Sequence, residues 1–275
     1  MILGASMLSA SASTISVNFH VNGDADAPAD HELAAGELAG LAPVGNWNNI
    51  NIGTGGAHNT SAAIFSSTML NDSTGASTGA TLAPNVISSW FVGYAASNAA
   101  TAAELGLAGN QDDLFNSYLA LNGPGGDGNP EDEAVLTIAN LPAAFTTNGY
   151  QLIIYSDTDR GPANGGDRTS VFTVTPTGGS AISVLTEDDG SVGAAAATFS
   201  GAFVLSDNSD TTDDYSNYTV INGLTADGFT IDVTSPNGGR GGISGFQLIA
   251  NPVPEPSTSL LLGLMGVVTL IRRKR

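Results

Sequence analysis

Hydrophobic and polar residues alternate with a period of two over much of this chain. Ile15, Val17, Phe19 and Val21 interleave with Ser16, Asn18 and His20, and Phe229, Ile231 and Val233 interleave with Thr230 and Asp232. Ser170, Phe172 and Val174 repeat the pattern more weakly. Successive side chains of a strand point to opposite faces, so each stretch predicts a strand with one face buried and the other in solvent. Short runs rich in β-branched and aromatic residues predict further strands over residues 47–52, 62–68, 88–92, 135–138, 150–155, 182–185, 199–205, 218–221 and 242–249. The stretches between them are dense in Gly, Asn, Asp, Ser and Thr, and 35 glycines suit many tight turns.

Helical periodicity is sparse. Residues 99–107 and 112–121 predict short helices, the second with acids at its start where the helix dipole favours them, and residues 28–41 predict a third. So few helices cannot cover both faces of a parallel sheet. The expected fold class is therefore all-β: an antiparallel, jelly-roll-like β-sandwich with a few short helices. No repeat or linker divides residues 13–251, which read as one body, and residues 121–133 read as a long surface loop.

Both ends depart from this pattern. Pro254, Glu255 and Pro256 are followed by an apolar run over residues 260–271 and then by Arg272, Arg273, Lys274 and Arg275, four of the seven basic residues in the chain. As a C-terminal hydrophobic helix, residues 257–271 would span about 22 Å, short of the roughly 30 Å hydrocarbon core of a bilayer. Such a helix holds a membrane marginally, with its serine end and its arginines reaching the two interfaces. The positive-inside bias keeps the cations cytoplasmic and puts the body outside, while the two prolines hold an extended stretch open to a processing enzyme. This order of elements resembles the PEP-CTERM sorting tail of bacterial envelope proteins. The resemblance implies that residues 252–275 are a sorting tail, with Pro254, Glu255, Pro256 and the four terminal cations as its signal. It also implies an exosortase-type processing peptidase as partner and a cell-envelope or extracellular destination, with a transient membrane anchor.

At the other end, residues 1–8 are apolar, and Ala10-Ser11-Ala12 has the small-x-small form that signal peptidase accepts. Residues 1–12 thus read as a signal peptide. No Lys or Arg precedes the apolar run, which reads as a signal truncated at its start.

Charge narrows the function classes. The chain has 26 acidic residues and a formal net charge of −19; the body holds every acid except Glu255, and its only cations are Arg160, Arg168 and Arg240. That surface repels nucleic acid and anionic headgroups, which excludes DNA and RNA as partners. There is no cysteine, hence no disulfide or thiolate metal site. His20, His31 and His58 have no metal-ligand spacing and read as solvent-facing. Arg168 and Arg240 read as partners of carboxylates, and Trp47 and Trp90 as core residues.

The body also carries a resemblance. Residues 39–43, 46–49, 70–79, 112–121, 141–142, 150–159 and 238–248 look like parts of a recurrent jelly-roll module of secreted bacterial proteins with such tails. The resemblance implies a galactose-binding-like sandwich, a class whose characterised members mostly bind carbohydrate.

Catalytic motifs are thin. Gly75-Ala76-Ser77-Thr78-Gly79 matches a nucleophile-elbow spacing, but no apolar strand leads in and no helix pattern follows, so it reads as a turn. Gly123, Gly125 and Gly128 match a phosphate-cradle spacing among Asp127, Glu131, Asp132 and Glu133, which repel phosphate. Carboxylate pairs such as Asp157 and Asp159 are expected by chance among so many acids. No cofactor is called for, and calcium is the one ion the acidic loops are equipped to hold. Asp157, Asp159 and Asp167 form one oxygen-rich set and Asp207 with Asp210 another, though neither has EF-hand spacing. The expected function is that of an exported, surface-sorted, non-catalytic envelope or biofilm-matrix protein whose body binds extracellular polysaccharide. The alternatives are a glycan-active enzyme and a purely structural, calcium-stabilised coat protein.

Overall fold

The computed structural model describes residues 13–20, 32–52, 66–86, 90–91, 114–115, 117–122, 134–157, 169–187, 202–209, 215–235 and 240–252. The strands are β1 (Thr14–His20), β2 (Asn48–Asn51), β3 (Thr68–Asn71), β4 (Ser77–Val86), β5 (Trp90–Phe91), β6 (Ser117–Asn122), β7 (Ala134–Ala139), β8 (Tyr150–Tyr155), β9 (Ser170–Pro176), β10 (Ile182–Thr186), β11 (Tyr218–Leu224), β12 (Phe229–Thr234), β13 (Arg240–Ile243) and β14 (Gly245–Ala250). Among the described residues the one α-helix is α1 (Ala143–Thr146), a single turn.

The strands form a five-stranded sheet in the order β11-β8-β14-β1-β2, a six-stranded sheet in the order β10-β9-β12-β7-β4-β3, and a three-stranded sheet in the order β13-β6-β5. Named strands pair antiparallel except β1 with β2, which run parallel. The molecule is thus mostly β with antiparallel sheets, as the periodicity predicts.

One core draws on all three sheets. Ile15, Val17, Phe19, Leu152, Ile154, Phe246 and Leu248 from the five-stranded sheet share it with Leu82, Leu136, Ile138, Phe172, Val174, Ile231 and Val233 from the six-stranded sheet, and with Leu119 and Ile243 from the third. Each fully buried side chain of this kind contributes on the order of 1.5–3 kcal/mol. β9 and β12 are half-buried, alternating between the core and a partly exposed face, as expected.

β1 is not. All its residues are buried, because the chain from residue 32 to 47 lies over the outer face of the five-stranded sheet. There Leu33, Ala39, Trp47, Leu114, Phe115, Ile153 and Tyr155 form a second apolar cluster. Polar side chains pin this cover down. The Tyr155 hydroxyl donates to Gln247 Oε1 (2.6 Å) and accepts from the Leu41 amide (2.8 Å), and Gln247 Nε2 donates to Ala42 O (3.0 Å) and Ser16 Oγ (3.1 Å). His20, expected in solvent, is 1% exposed, with Nε2 3.4 Å from Glu32 Oε1. Period two is satisfied equally by an outward face in water and by one whose polar groups are buried and paired.

Other expectations are corrected. Over residues 112–121 the described part holds no α-helix: Ser117–Asn122 is strand β6, paired to β13. The described part of 28–41 holds turns and an isolated bridge between Ala39 and Val44, not a helix. Of 199–205, the described part is 202–205, where only Leu205 makes a bridge, to Tyr218. The expected strand over 242–249 is two, β13 and β14, interrupted at Ser244, whose amide donates to Tyr155 O (2.9 Å) and whose carbonyl accepts from the Phe19 amide (3.0 Å). β4 was not expected at all. Trp47 is buried as predicted, with its indole N–H donated to Val44 O (3.0 Å).

Candidate functional site

Strand register gives the molecule two unlike ends. Thr14 lies opposite Ile249, and Tyr150 lies opposite both Ala250 and Leu224, so β1 begins, β8 begins, and β11 and β14 finish at one end, here the near end. In the other large sheet Ala139 pairs with Thr81 and Phe229 with Ile138 and Pro176, and the bonds from Ser73 N to Thr14 O and from the Tyr150 hydroxyl to Ala226 O put these positions at the same end.

The near end is closed by short, cross-linked turns. Backbone amides donate from Ser73 to Thr14 O (2.8 Å), from Leu141 to Asp227 O (2.8 Å) and from Thr177 to Gly228 O (2.9 Å). The last described stretch is locked here too: Ala250 donates to Ser13 O (2.9 Å), Asn251 N to Gly149 O (2.9 Å) and Asn251 Nδ2 to Asn148 O (3.0 Å). Gly149 has a φ of +78°, and a side chain there would meet Leu224 O at 2.9 Å, so the turn into β8 requires glycine.

At the far end, β1 stops at His20, β2 at Asn51, β8 at Tyr155, β10 at Thr186 and β12 at Thr234. Segments 21–31, 158–168, 188–201 and 236–239, which lie outside the described residues, begin and end beside these positions. A buried polar network closes the described part. Ser156 Oγ donates to Gly242 O (2.7 Å), and the Gly242 amide donates to Ser170 Oγ (2.9 Å). The Tyr215 hydroxyl donates to Asp157 Oδ2 (3.2 Å), and Asn217 Nδ2 donates to Tyr215 Oη (3.2 Å) and to Ala202 O (2.9 Å). The Glu187 amide donates to Ser216 Oγ (3.0 Å) and its carbonyl accepts from the Ser216 amide (2.8 Å). Asp157 and Glu187 are both nearly fully buried.

Of the carboxylates singled out for calcium in the sequence, Asp157 and Asp207 are described. Asp157 sits under Tyr215. Asp207 is exposed and accepts from the Ser209 amide (2.8 Å) and hydroxyl (2.7 Å); the hydroxyl bond first, then the amide, holds its carboxyl below the usual carboxylate range. The two carboxylates are thus held in different surroundings. Among the described residues no three His, Asp or Glu side chains gather as a metal-binding group. Asp159, Asp167, Asp210, Ala10, Ala12 and the tail from Pro254 to Arg275 lie outside the described residues. No helix of the described residues is long and apolar enough to cross a membrane.

Sequence reading missed Glu187, Tyr215, Ser216 and Asn217. Their composition is that of ordinary turns, and only the pairing of β8 with β11 reveals that they roof the end of the core. Ser77, in the elbow-like motif, opens β4 and is exposed, with its hydroxyl against Met69 Sδ (2.9 Å), a partner that cannot act as a base.

Residues 252–275 match the family model described as the PEP-CTERM protein-sorting motif. No curated protein and no solved structure matches the chain. The motif marks an exported protein that an exosortase, a membrane peptidase, sorts and processes, and it points to a secreted, envelope-associated destination with a C-terminal anchor region.

Proposed function

We propose that residues 13–251 are a non-catalytic, jelly-roll-like β-sandwich that is held at the envelope by its tail and binds extracellular polysaccharide at its far end. The sandwich reading is supported by the core that the two large sheets share. The observation that carries the functional reading is the polarity of the fold. The sorting motif begins at Pro252, directly beyond the near end, whereas the polar chain ends that position loops cluster at the opposite end. Binding residues belong on loops set by a rigid scaffold, and here the strand ends from which the acid-rich segments continue lie opposite the anchor. Calcium is the ion we assign to that end, since Asp157 opens one acid-rich stretch of the sequence and is bonded to Tyr215, which follows another.

The test is retention of the exported protein on a glycan array and on immobilised polysaccharide, with and without a calcium chelator. Retention on some polysaccharide is expected, weakened by chelation. Absence of binding across the array overturns the reading. Calcium-dependent self-assembly without glycan retention would identify a structural coat instead, and new chain ends in the polysaccharide would identify an enzyme. Intact mass of the exported protein checks processing: loss of residues beyond Pro254 to Pro256 is expected.

A further inference from the structure

We infer that, before processing, the near end of the body is the face that the short tether holds against the lipid headgroup layer, so that the molecule stands upright on the turns around Asn251. The inference rests on the anchoring reading above.

Asn251 is the last residue whose side chain is locked into the fold. From it to Pro254 there are three residues, and no conformation of them reaches beyond about 11 Å. To Ser257, where the membrane-bound stretch begins in the sequence reading, the limit is about 22 Å. The headgroup region takes up several ångströms of that distance, since bilayers are about 40–45 Å thick overall for a core of about 30 Å. The near end therefore cannot stand far above the headgroups.

A short tether fixes which point of the body is nearest, and the charge pattern fixes the tilt. The turns of the near end carry Asp72 and Asp227, surrounded by Ser73, Thr74, Asn148, Thr177 and Thr225. The Asp72 carboxylate is already engaged by Thr74 and Ala76. The far end holds Glu32, Asp157 and Glu187, and in the sequence Glu187 is followed directly by Asp188 and Asp189. An anionic headgroup layer attracts cations and repels acids over about a Debye length, so tilting the far end toward it is unfavourable. β1 at roughly 3.3 Å per residue separates the two ends by about 20 Å, enough to tell them apart.

The chain has no cysteine, so single-cysteine variants of the full-length protein report one position each. Thr225→Cys and Ser180→Cys mark exposed near-end turns, and Asn51→Cys and Asp207→Cys mark exposed far positions. Each would carry a fluorophore, on protein reconstituted in vesicles of phosphatidylglycerol and phosphatidylcholine with a headgroup nitroxide lipid. The expected result is flotation with the vesicles, and quenching at Thr225 and Ser180 several-fold above that at Asn51 and Asp207. Inserting a flexible 20-residue Gly/Ser spacer after Pro252, with a root-mean-square reach of about 25 Å, is expected to abolish the difference. Failure to float overturns the anchoring reading and this inference with it. Flotation with equal or reversed quenching, or a difference that survives the spacer, overturns the orientation alone. Flotation without quenching at any position would show that the body stands clear of the headgroups, and would likewise overturn the lipid assignment.

Discussion

The near and far ends of this body solve opposite problems with the same chemistry. At the near end, turns of a few residues bond to one another, and the chain is fixed up to the residue before the sorting motif. Short closed turns cost little loop entropy and leave few backbone groups unpaired, which suits a base from which a tether emerges. At the far end, serines, a tyrosine and an asparagine cap the core so that long stretches of chain can leave it without exposing it. The difference teaches that an acidic, glycine-rich chain of low helical content can still be strongly polarised, with rigidity placed where the anchor attaches.

The largest expected effect tests whether the near end is the rigid one. Phe145 of α1 is fully buried, with its ring 6.0 Å from that of Tyr150. Phe145→Ala is expected to cost about 3–5 kcal/mol of global stability in urea unfolding, because a cavity opens beneath turns that cannot collapse into it. At the far end Tyr215→Phe removes one donor to Asp157 and is expected to cost only about 0.5–1.5 kcal/mol. A smaller loss for Phe145→Ala than for Tyr215→Phe would break the comparison.

Alkaline pH sharpens it at intermediate size. Burial first, then the charge of Asp227, pushes the Tyr150 phenol above its ordinary value, and burial first, with Tyr218 adding to it, does the same for Tyr155 despite the Leu41 amide. Both folded-state values are raised, so this stability is complete below the ordinary value of 10.0 and is lost as pH rises from there toward the folded values. Each group then costs up to about 1.4 kcal/mol per pH unit. Tyrosinate absorbance is expected to rise in two phases, the second coinciding with unfolding. Tyr150→Phe, which keeps the ring and removes the hydroxyl bonded to Ala226 O, is expected to move that phase to higher pH. A single phase at ordinary phenol pH would refute the burial of both hydroxyls.

Much of the scaffold was legible in the sequence, and the reasons for the rest are specific. Strands over 150–155, 182–185, 218–221 and 229–233 were read correctly, because their alternation or β-branched runs reflect the buried faces they present. β6 was misread as helix because Asp112 and Asp113 imitate an acidic first turn, while the pairing that makes Ser117–Asn122 a strand comes from β13, far along the chain. β4 was missed because Thr78, Gly79, Ala80 and Pro84 look like turn material, yet Leu82 and Ala80 reach the core. His20 was misplaced because alternation reports which face a side chain takes, not what covers that face. The sorting tail was legible because its signal lies in covalent order rather than in folding. The polar roof over Asp157 was not, since Ser, Asn and Tyr in turns look the same whether buried or wet.

The smallest effect compares one turn chemistry at the two ends. Asp72 accepts from the Thr74 hydroxyl (2.6 Å), the Thr74 amide (2.9 Å) and the Ala76 amide (3.1 Å) within the β3–β4 hairpin, which itself is bonded to Thr14 O through Ser73. The hydroxyl bond first, then, against partial burial, the two amides, lowers the Asp72 carboxyl below its ordinary 3.8. A lowered folded value means the contribution is present above pH 3.8 and is lost as pH falls through the folded value. The carboxylate is mostly in solvent, so screening keeps the effect of Asp72→Ala to about 0.5–1 kcal/mol at neutral pH, vanishing in acid. Asp207 makes the analogous turn with Ser209 but its carboxyl is fully exposed, and Asp207→Ala is expected to leave the melting temperature unchanged. The same carboxylate motif then matters only where the carboxylate bonds several groups of one hairpin, and equal losses for the two variants would show that the extra amide from Ala76 adds nothing at the near end.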